Sequence, residues 1–193
     1  DDSNLTGAWQ VSVRHQNDCL VANGYMVCGD AAWFPNPISA GGIGPGLIGG
    51  VMAGETAIRA VEANDSNEGQ LWQYNLDFVN HYGNKTAALE AFRLYLQTLN
   101  NREINYGMRH FLSSKEATEM SLGEMPPLSP VQKIAKLIRG LGSYKAFKGL
   151  LHTMDRMRTL NTLYQNYPKE PDEFEPWKRQ VDTILHEVRA RFS

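Results

Sequence analysis

Nine of the 17 glycines in this 193-residue chain fall between Gly24 and Gly54, and nothing else in the sequence restricts its fold as much. The segment 31–50, AAWFPNPISAGGIGPGLIGG, carries six of them together with prolines. Such a composition forbids regular structure over most of its length. From Leu47 the pattern turns helical. Leu47, Val51, Gly54, Ile58 and Val61 share one stripe, with Ala53 and Ala57 beside it. Gly49, Gly50 and Gly54 each weaken a helix by roughly 0.5–1 kcal/mol relative to Ala. They make sense if another backbone or a ligand lies close against that helix.

The residues before the glycine segment read as extended chain. Trp9, Val11 and Val13 alternate with polar neighbours, which predicts a half-buried strand. Leu20–Ala22 meets Asn23-Gly24, a pair suited to a tight hairpin turn. Tyr25–Cys28 then predicts a short buried strand that ends at Gly29-Asp30.

After Asn64–Asn67 the character changes. Helices are predicted over 71–82, 86–99, 102–112, 130–141, 144–166 and 172–191. Ser113 and Glu116 have the spacing of a capping box, and Ser129-Pro130 opens a helix with proline where its missing N–H costs nothing. Met125–Pro127 and Pro168–Pro171 are the predicted breaks. The fold class is therefore mainly α: a short β-hairpin and a glycine-rich loop, then an all-helical remainder. The division falls at 65/66, with residues 1–65 and 66–193 as separate domains.

Composition narrows the function classes. Apolar residues make up 42% of the chain, enough for a core. Net charge is −2, so a strongly basic nucleic-acid binder is excluded as the default. The charge is uneven: residues 1–70 carry 2 basic and 8 acidic residues, and 71–193 carry 17 and 13. No run of about 18 apolar residues occurs, and DDSNLTGAW lacks the features of a signal peptide. Cys19 and Cys28 are too few for a disulfide framework and read as reduced thiols, small buried residues before a redox pair. No two of His15, His81, His110, His152 and His186 lie within four residues, so no helical metal pair is expected. A cytoplasmic protein is the expectation.

A strand, Gly-Asp, a glycine loop and a helix in succession have a physical use. A carboxylate at Asp30, at the end of a strand, can accept hydrogen bonds from ligand hydroxyls. Gly41, Gly42 and Gly44 expose amides without Cβ obstruction, and a helix beginning near Gly44-Pro45 points its positive end there. A tight strand-to-helix turn with no ligand is the plain alternative.

The string CGDAAWFPNPISAGGIGPGLIGGVMAGETA resembles the third flavin motif of FAD-dependent oxidoreductases with the hydroxybenzoate-hydroxylase fold. Within that group it is most similar to the geranylgeranyl reductase family, digeranylgeranylglycerophospholipid reductases included. VANGYMVCGDAA and LWQYNLDFVNHYG carry the likeness on either side, and it is strong over residues 7–82. The resemblance implies that residues 1–65 are the C-terminal part of an α/β FAD-binding domain. It implies FAD as cofactor, with Gly29 and Asp30 at the ribityl chain, Gly41, Gly42, Ile43 and Gly44 at the pyrimidine end of the isoalloxazine, and Pro37 beside the flavin. It further implies hydride transfer from reduced flavin to the double bonds of an isoprenoid lipid, with NAD(P)H or ferredoxin as electron donor. No residue is nominated as proton donor. Trp33, at a position often small in relatives, and Ala40, in place of a frequent glycine, depart from the pattern. No G-x-G-x-x-G loop of a dinucleotide fold stands near the start of the chain: the Gly42-x-Gly44 frame meets Leu47 instead of a third glycine, and Gly44-x-Gly46-x-x-Gly49, which has the spacing, falls inside the string that resembles the third flavin motif. The chain is therefore expected to be the C-terminal half of a longer enzyme, and by itself to bind FAD weakly or not at all and to be inactive.

Two other readings stay open. A flavin monooxygenase or halogenase of the same fold shares the Asp30 motif. Alternatively, residues 66–193 are a helical interaction or membrane-docking module. Lys133, Lys136, Arg139, Lys145, Lys148, Arg156 and Arg158, interleaved with apolar residues over 130–160, suit either a solvated bundle face or peripheral contact with an anionic membrane. Trp72, Tyr74, Phe78, Tyr82, Phe92 and Tyr95 suit either packing of two helices on each other or the wall of an isoprenoid tunnel.

Overall fold

A computed structural model describes residues 10–110, 113–121 and 144–192. The expected helix 130–141, the Met125–Pro127 break, the Ser129-Pro130 cap and the basic residues of 130–143 lie outside them.

The fold is mainly α with one two-stranded hairpin. Strands β1 (Val21–Ala22) and β2 (Tyr25–Met26) pair antiparallel, with Val21 opposite Met26 and Ala22 opposite Tyr25. Gly24, at φ 68°, makes the turn that Asn23-Gly24 predicts. The hairpin is tied to residues 66–68. The Gly24 N–H donates to the Ser66 carbonyl at 2.7 Å, and the Asn23 side chain accepts from Glu68 N at 2.8 Å.

The strand expected around Trp9–Val13 is not formed over its described part, and residues 10–20 are irregular. An extended segment needs a neighbour for its backbone groups, and here the partners are side chains and helix ends. Leu20 N donates to Asn75 Oδ1 at 2.7 Å, Asn17 N to the Ala32 carbonyl at 3.0 Å, and Gln16 Nε2 to the Gly83 carbonyl at 3.2 Å. Tyr25–Cys28 likewise shrinks to a two-residue strand, with Tyr25 exposed and Met26 half-buried, because β1 is its one partner. Cys19 and Cys28 carry free thiols.

Helix α1 (Ile43–Glu62) lies against α2 (Glu68–Phe78). Asn67 caps α2, its Oδ1 accepting from Gln70 N at 2.8 Å. The helices expected at 71–82 and 86–99 are one rod. A π-helical turn over Val79–Gly83 joins α2 directly to α3 (Asn84–Leu96). With no proline between them, nothing forces a break, and Gly83 is absorbed in the wider turn. Helix α4 (Asn101–His110) comes next, and then α5 (Ser114–Ser121), which opens on the expected capping box. Glu116 N donates to Ser113 Oγ at 3.2 Å and Ser113 N to Glu116 Oε2 at 2.8 Å.

Helix α6 (Tyr144–Gln165) packs along α3, and α7 (Phe174–Phe192) closes over both after the Pro168–Pro171 break. The six aromatics of α2–α3 are all buried. They do not pack helix on helix with each other, since α2 and α3 are continuous. They face the glycine segment and α6–α7 instead. Trp72 lies against Tyr167 and Phe174 and donates its indole N–H to the Pro168 carbonyl at 2.9 Å, and the Tyr95 hydroxyl donates to the Ala146 carbonyl at 2.6 Å. Burial pushes the Tyr95 hydroxyl up to about 12, so it stays a donor.

One buried carboxylate joins the irregular N-terminal stretch to the last two helices. Asp18 receives the Tyr164 hydroxyl, with Lys178 Nζ at 3.1 Å and His15 Nε2 at 3.6 Å, while the Tyr167 hydroxyl donates to its carbonyl at 2.6 Å. Burial alone would raise the Asp18 carboxyl. The His15 hydrogen bond and charge, then Tyr164 and Lys178, outweigh it and hold Asp18 below the ordinary carboxylate range. Among the described residues no helix is long and apolar enough to cross a membrane.

Candidate functional site

The glycine segment is built from its turns outward. Gly29, at φ 63°, starts a 3-10 turn over Gly29–Ala32, so Asp30 sits on that turn instead of at the end of a buried strand. The turn closes with Trp33 N on the Asp30 carbonyl at 3.1 Å and Phe34 N on the Gly29 carbonyl at 3.2 Å. Trp33 is left-handed at φ 59°, and the Arg14 guanidinium lies 3.8 Å from its ring centroid.

Phe34 is the anchor. It is fully buried and stacks on Phe78 with ring centroids 3.8 Å apart and planes at 14°. Its other edge meets α1 at Gly49, where a Cβ would stand 2.4 Å from Phe34 Cε2. Gly49 is thus the position where the helix must be bare for the loop to seat.

Asn36 organises the loop beyond. Its Oδ1 accepts from Ile38 N at 2.7 Å and Ser39 N at 3.1 Å. Its backbone closes the loop, with Asn36 N on the Gly41 carbonyl at 3.1 Å and Ala40 N on the Asn36 carbonyl at 2.9 Å. Tyr82, carried by the π turn, hydrogen-bonds the Asn36 side chain, and burial raises its hydroxyl above the usual phenol range. Ala40 is left-handed at φ 57°, at the place where a glycine is frequent in the motif it resembles.

The loop delivers the chain to α1 at Gly42, which has no side-chain cap. The N–H groups of Ile43 and Gly44 precede the first intrahelical donor, Gly46, which bonds the Gly42 carbonyl at 2.9 Å, and Pro45 has no N–H. The first turn holds no acidic residue. The positive end of a 20-residue helix is therefore presented with bare amides. Asp30 borders it: its Oδ1 lies 3.3 Å from where a Gly42 Cβ would stand, and Pro35 Cγ 3.0 Å from the same point. Gly46 stacks on Gly29, where a Cβ on Gly46 would stand 3.9 Å from the Gly29 Cα.

The fold thus brings Gly29, Asp30, Gly42, Ile43 and Gly44 together around the start of α1. Asp30, Gly41, Ile43 and Gly44 are exposed; Gly29 and Gly42 are half-buried. Pro37 is buried inside the loop, so a ligand arriving from outside meets Gly41, Ile43 and Gly44 first. Sequence reasoning does not find Asn36 and Tyr82 as loop organisers. The Pro-Asn-Pro string is a local signal for Asn36, while Tyr82 lies 46 positions away and has none.

Among the described residues no group of three or more His, Cys, Asp or Glu could hold a metal ion. In the described part of the 130–160 stretch, Phe147, Met157 and Leu160 face the core, Leu151 is exposed, and Arg156 pairs with Asp155 at 2.8 Å and Glu187 at 3.1 Å.

No family model matches the chain. Curated relatives do. The digeranylgeranylglycerophospholipid reductase of Sulfolobus acidocaldarius is 36% identical over 190 residues, which are 98% of this chain and 42% of that protein. Digeranylgeranylglycerophospholipid reductase 1 of Methanothermobacter thermautotrophicus is 36% identical over 86 residues, 45% of this chain and 22% of the relative. The namesake from Methanoculleus marisnigri is 28% identical over 119 residues, 61% and 28%. The chain spans less than half the length of these relatives. Its likeness to the first runs from end to end of the sequence, glycine loop and helices alike, and it is a member of the geranylgeranyl reductase-like family.

Proposed function

We propose that the chain is the flavin-facing and C-terminal part of an FAD-dependent reductase that saturates isoprenoid double bonds of a lipid. The observation that carries this reading is the start of α1, where bare amides at Ile43 and Gly44 and the Asp30 carboxylate border one exposed surface. The names of the relatives support reduction of a geranylgeranyl lipid.

The residues present suit a flavin. A Cβ at Gly44 would meet nothing within 4 Å, so a planar ring can lie against that backbone. The amides of Ile43 and Gly44 would stabilise negative charge at the pyrimidine end of the ring, where the helix dipole favours it. Asp30 would accept hydrogen bonds from ribityl hydroxyls. Bound there, FAD supplies the hydride, and the chain supplies placement and electrostatics. Residues 1–65 belong to the cofactor-binding part and 66–193 to a helical domain. Without the remaining part of the cofactor fold, the chain alone holds FAD weakly and is inactive.

The test joins this chain to the portion of the Sulfolobus acidocaldarius relative that it does not match. The purified product is expected to be yellow and to add hydrogen to digeranylgeranylglycerophospholipid, read by mass spectrometry. Asp30→Ala removes a charged acceptor, a loss of about 1.5–3 kcal/mol, and should weaken flavin binding by roughly ten- to a hundredfold. A colourless, folded product would sink the flavin reading.

A further inference from the structure

Among the described residues nothing covers the stripe of apolar residues on α1. Leu47, Val51, Ile58 and Val61 succeed one another along one face, with Ile43 at its head. These five are the most exposed aliphatic side chains of the helix, from 61% for Ile58 to 83% for Ile43. Gly50 and Gly54 lie within the same stripe, and an added Cβ at either would meet nothing within 4 Å. The opposite side of α1 is the packed one, with Gly49, Thr56 and Ala60 buried. A contiguous row of five branched or long aliphatics is comparable with the ~300–600 Å² patch that is already the largest on a typical monomer, and such patches mark interfaces.

We propose that this stripe is the docking surface for the remainder of a longer polypeptide of the family, with Gly50 and Gly54 as the points of closest backbone approach. Three observations select that occupant. More than half of the Sulfolobus acidocaldarius relative has no counterpart in this chain, so its remaining residues must pack somewhere. The stripe is continuous with the bare first turn of α1, so one body laid along it also reaches the Ile43–Gly44 amides. Two helix-weakening glycines are kept on the exposed face, where nothing in the described structure requires them. A membrane surface is the poorer occupant, because the charged residues of α1 are Glu55, Arg59 and Glu62, an acidic set. The inference requires membership of the family and does not require a bound flavin.

The test is thiol protection. In a Cys28→Ser background, Val51→Cys is placed in the free chain and in the polypeptide joined to the unmatched portion of the Sulfolobus acidocaldarius relative. A reporter at Glu175→Cys, an exposed position of α7, serves as control. Joining is expected to slow thiol modification at position 51 by at least about tenfold while position 175 stays reactive. Gly54→Ala is expected to raise the denaturant midpoint of the free chain and to lower that of the joined polypeptide. Equal reactivity at position 51 in both overturns the proposal. So does a joined polypeptide that fails to fold, or a Gly54→Ala change that stabilises both forms. A free chain that sediments as a dimer with position 51 protected assigns the stripe to a second copy. Protection by vesicles of phosphatidylcholine and phosphatidylglycerol assigns it to a membrane. Either result also overturns the proposal. Colourless product with position 51 protected would remove the flavin reading and leave this one standing.

Discussion

Trp33 and Ala40, both in the glycine segment, are held in a backbone conformation that they disfavour. A left-handed residue other than glycine costs roughly 1–2 kcal/mol, and Ala40 takes it at an exposed position. Ala40→Gly is expected to stabilise the free chain by up to about 1 kcal/mol, the gain being trimmed by glycine's greater freedom when unfolded. The urea midpoint measures it. The reverse holds at Gly49, where Phe34 occupies the space of a Cβ. Gly49→Ala should cost about 1–3 kcal/mol through forced repacking, and would expel Phe34 from its stack on Phe78. The departures at Trp33 and Ala40 are visible in the sequence against the flavin motif it resembles, while their left-handed backbone is seen only in the fold. Which glycines are obligatory is not visible in the sequence, because Gly49 and Gly54 differ only in what lies across from them. Asn36 shows the same limit: its turn is local, but its tie to Tyr82 is tertiary.

At the scale of elements, most helices are legible from their spacing, and the capping box at Ser113 and Glu116 from its pair of residues. The strand expected at Trp9–Val13 does not form over its described part, 10–13, because alternation states which faces differ and not whether a partner strand exists. Residues 10–20 instead hang their polar groups on the α2–α3 rod. The π turn within that rod has no local sequence signal, and Gln16, which packs against Gly83 in it, comes from 67 positions away. A Cβ at Gly83 would stand 2.7 Å from Gln16 Nε2, and Gln16 also receives the Thr86 hydroxyl. Gly83→Ala is therefore expected to destabilise the chain by about 1–3 kcal/mol and to loosen the turn that carries Tyr82. Hydrogen exchange at 79–86 should report it, rising well beyond what a control such as Gly107→Ala, where an added Cβ meets nothing, produces.

For the molecule as a whole, Asp18 is the residue on which the ends meet. Its carboxyl lies below its ordinary value in the folded chain, so its contribution is fully present above about pH 4, the range of an unfolded carboxylate. It is lost as pH falls through the depressed folded value. Denaturant midpoints measured between about pH 2 and 6 should therefore drop steeply below pH 4, and Asp18→Asn should flatten that slope while lowering stability at neutral pH. Nothing in the sequence marks Asp18 out, because its partners Tyr164 and Lys178 belong to the far end of the chain. The Asp18–Tyr164 bond spans 146 positions. During synthesis at about 5–20 residues per second, Asp18 must wait on the order of ten seconds before its acceptor oxygens can be satisfied. Until α6 and α7 leave the ribosome, the glycine segment can seat Phe34 on Phe78, but Asp18 lacks Tyr164, Tyr167 and Lys178. A nascent chain of this protein thus acquires its glycine loop early and its clasp last, so the ribosome-bound intermediate is the state most exposed to proteolysis and to rescue by chaperones.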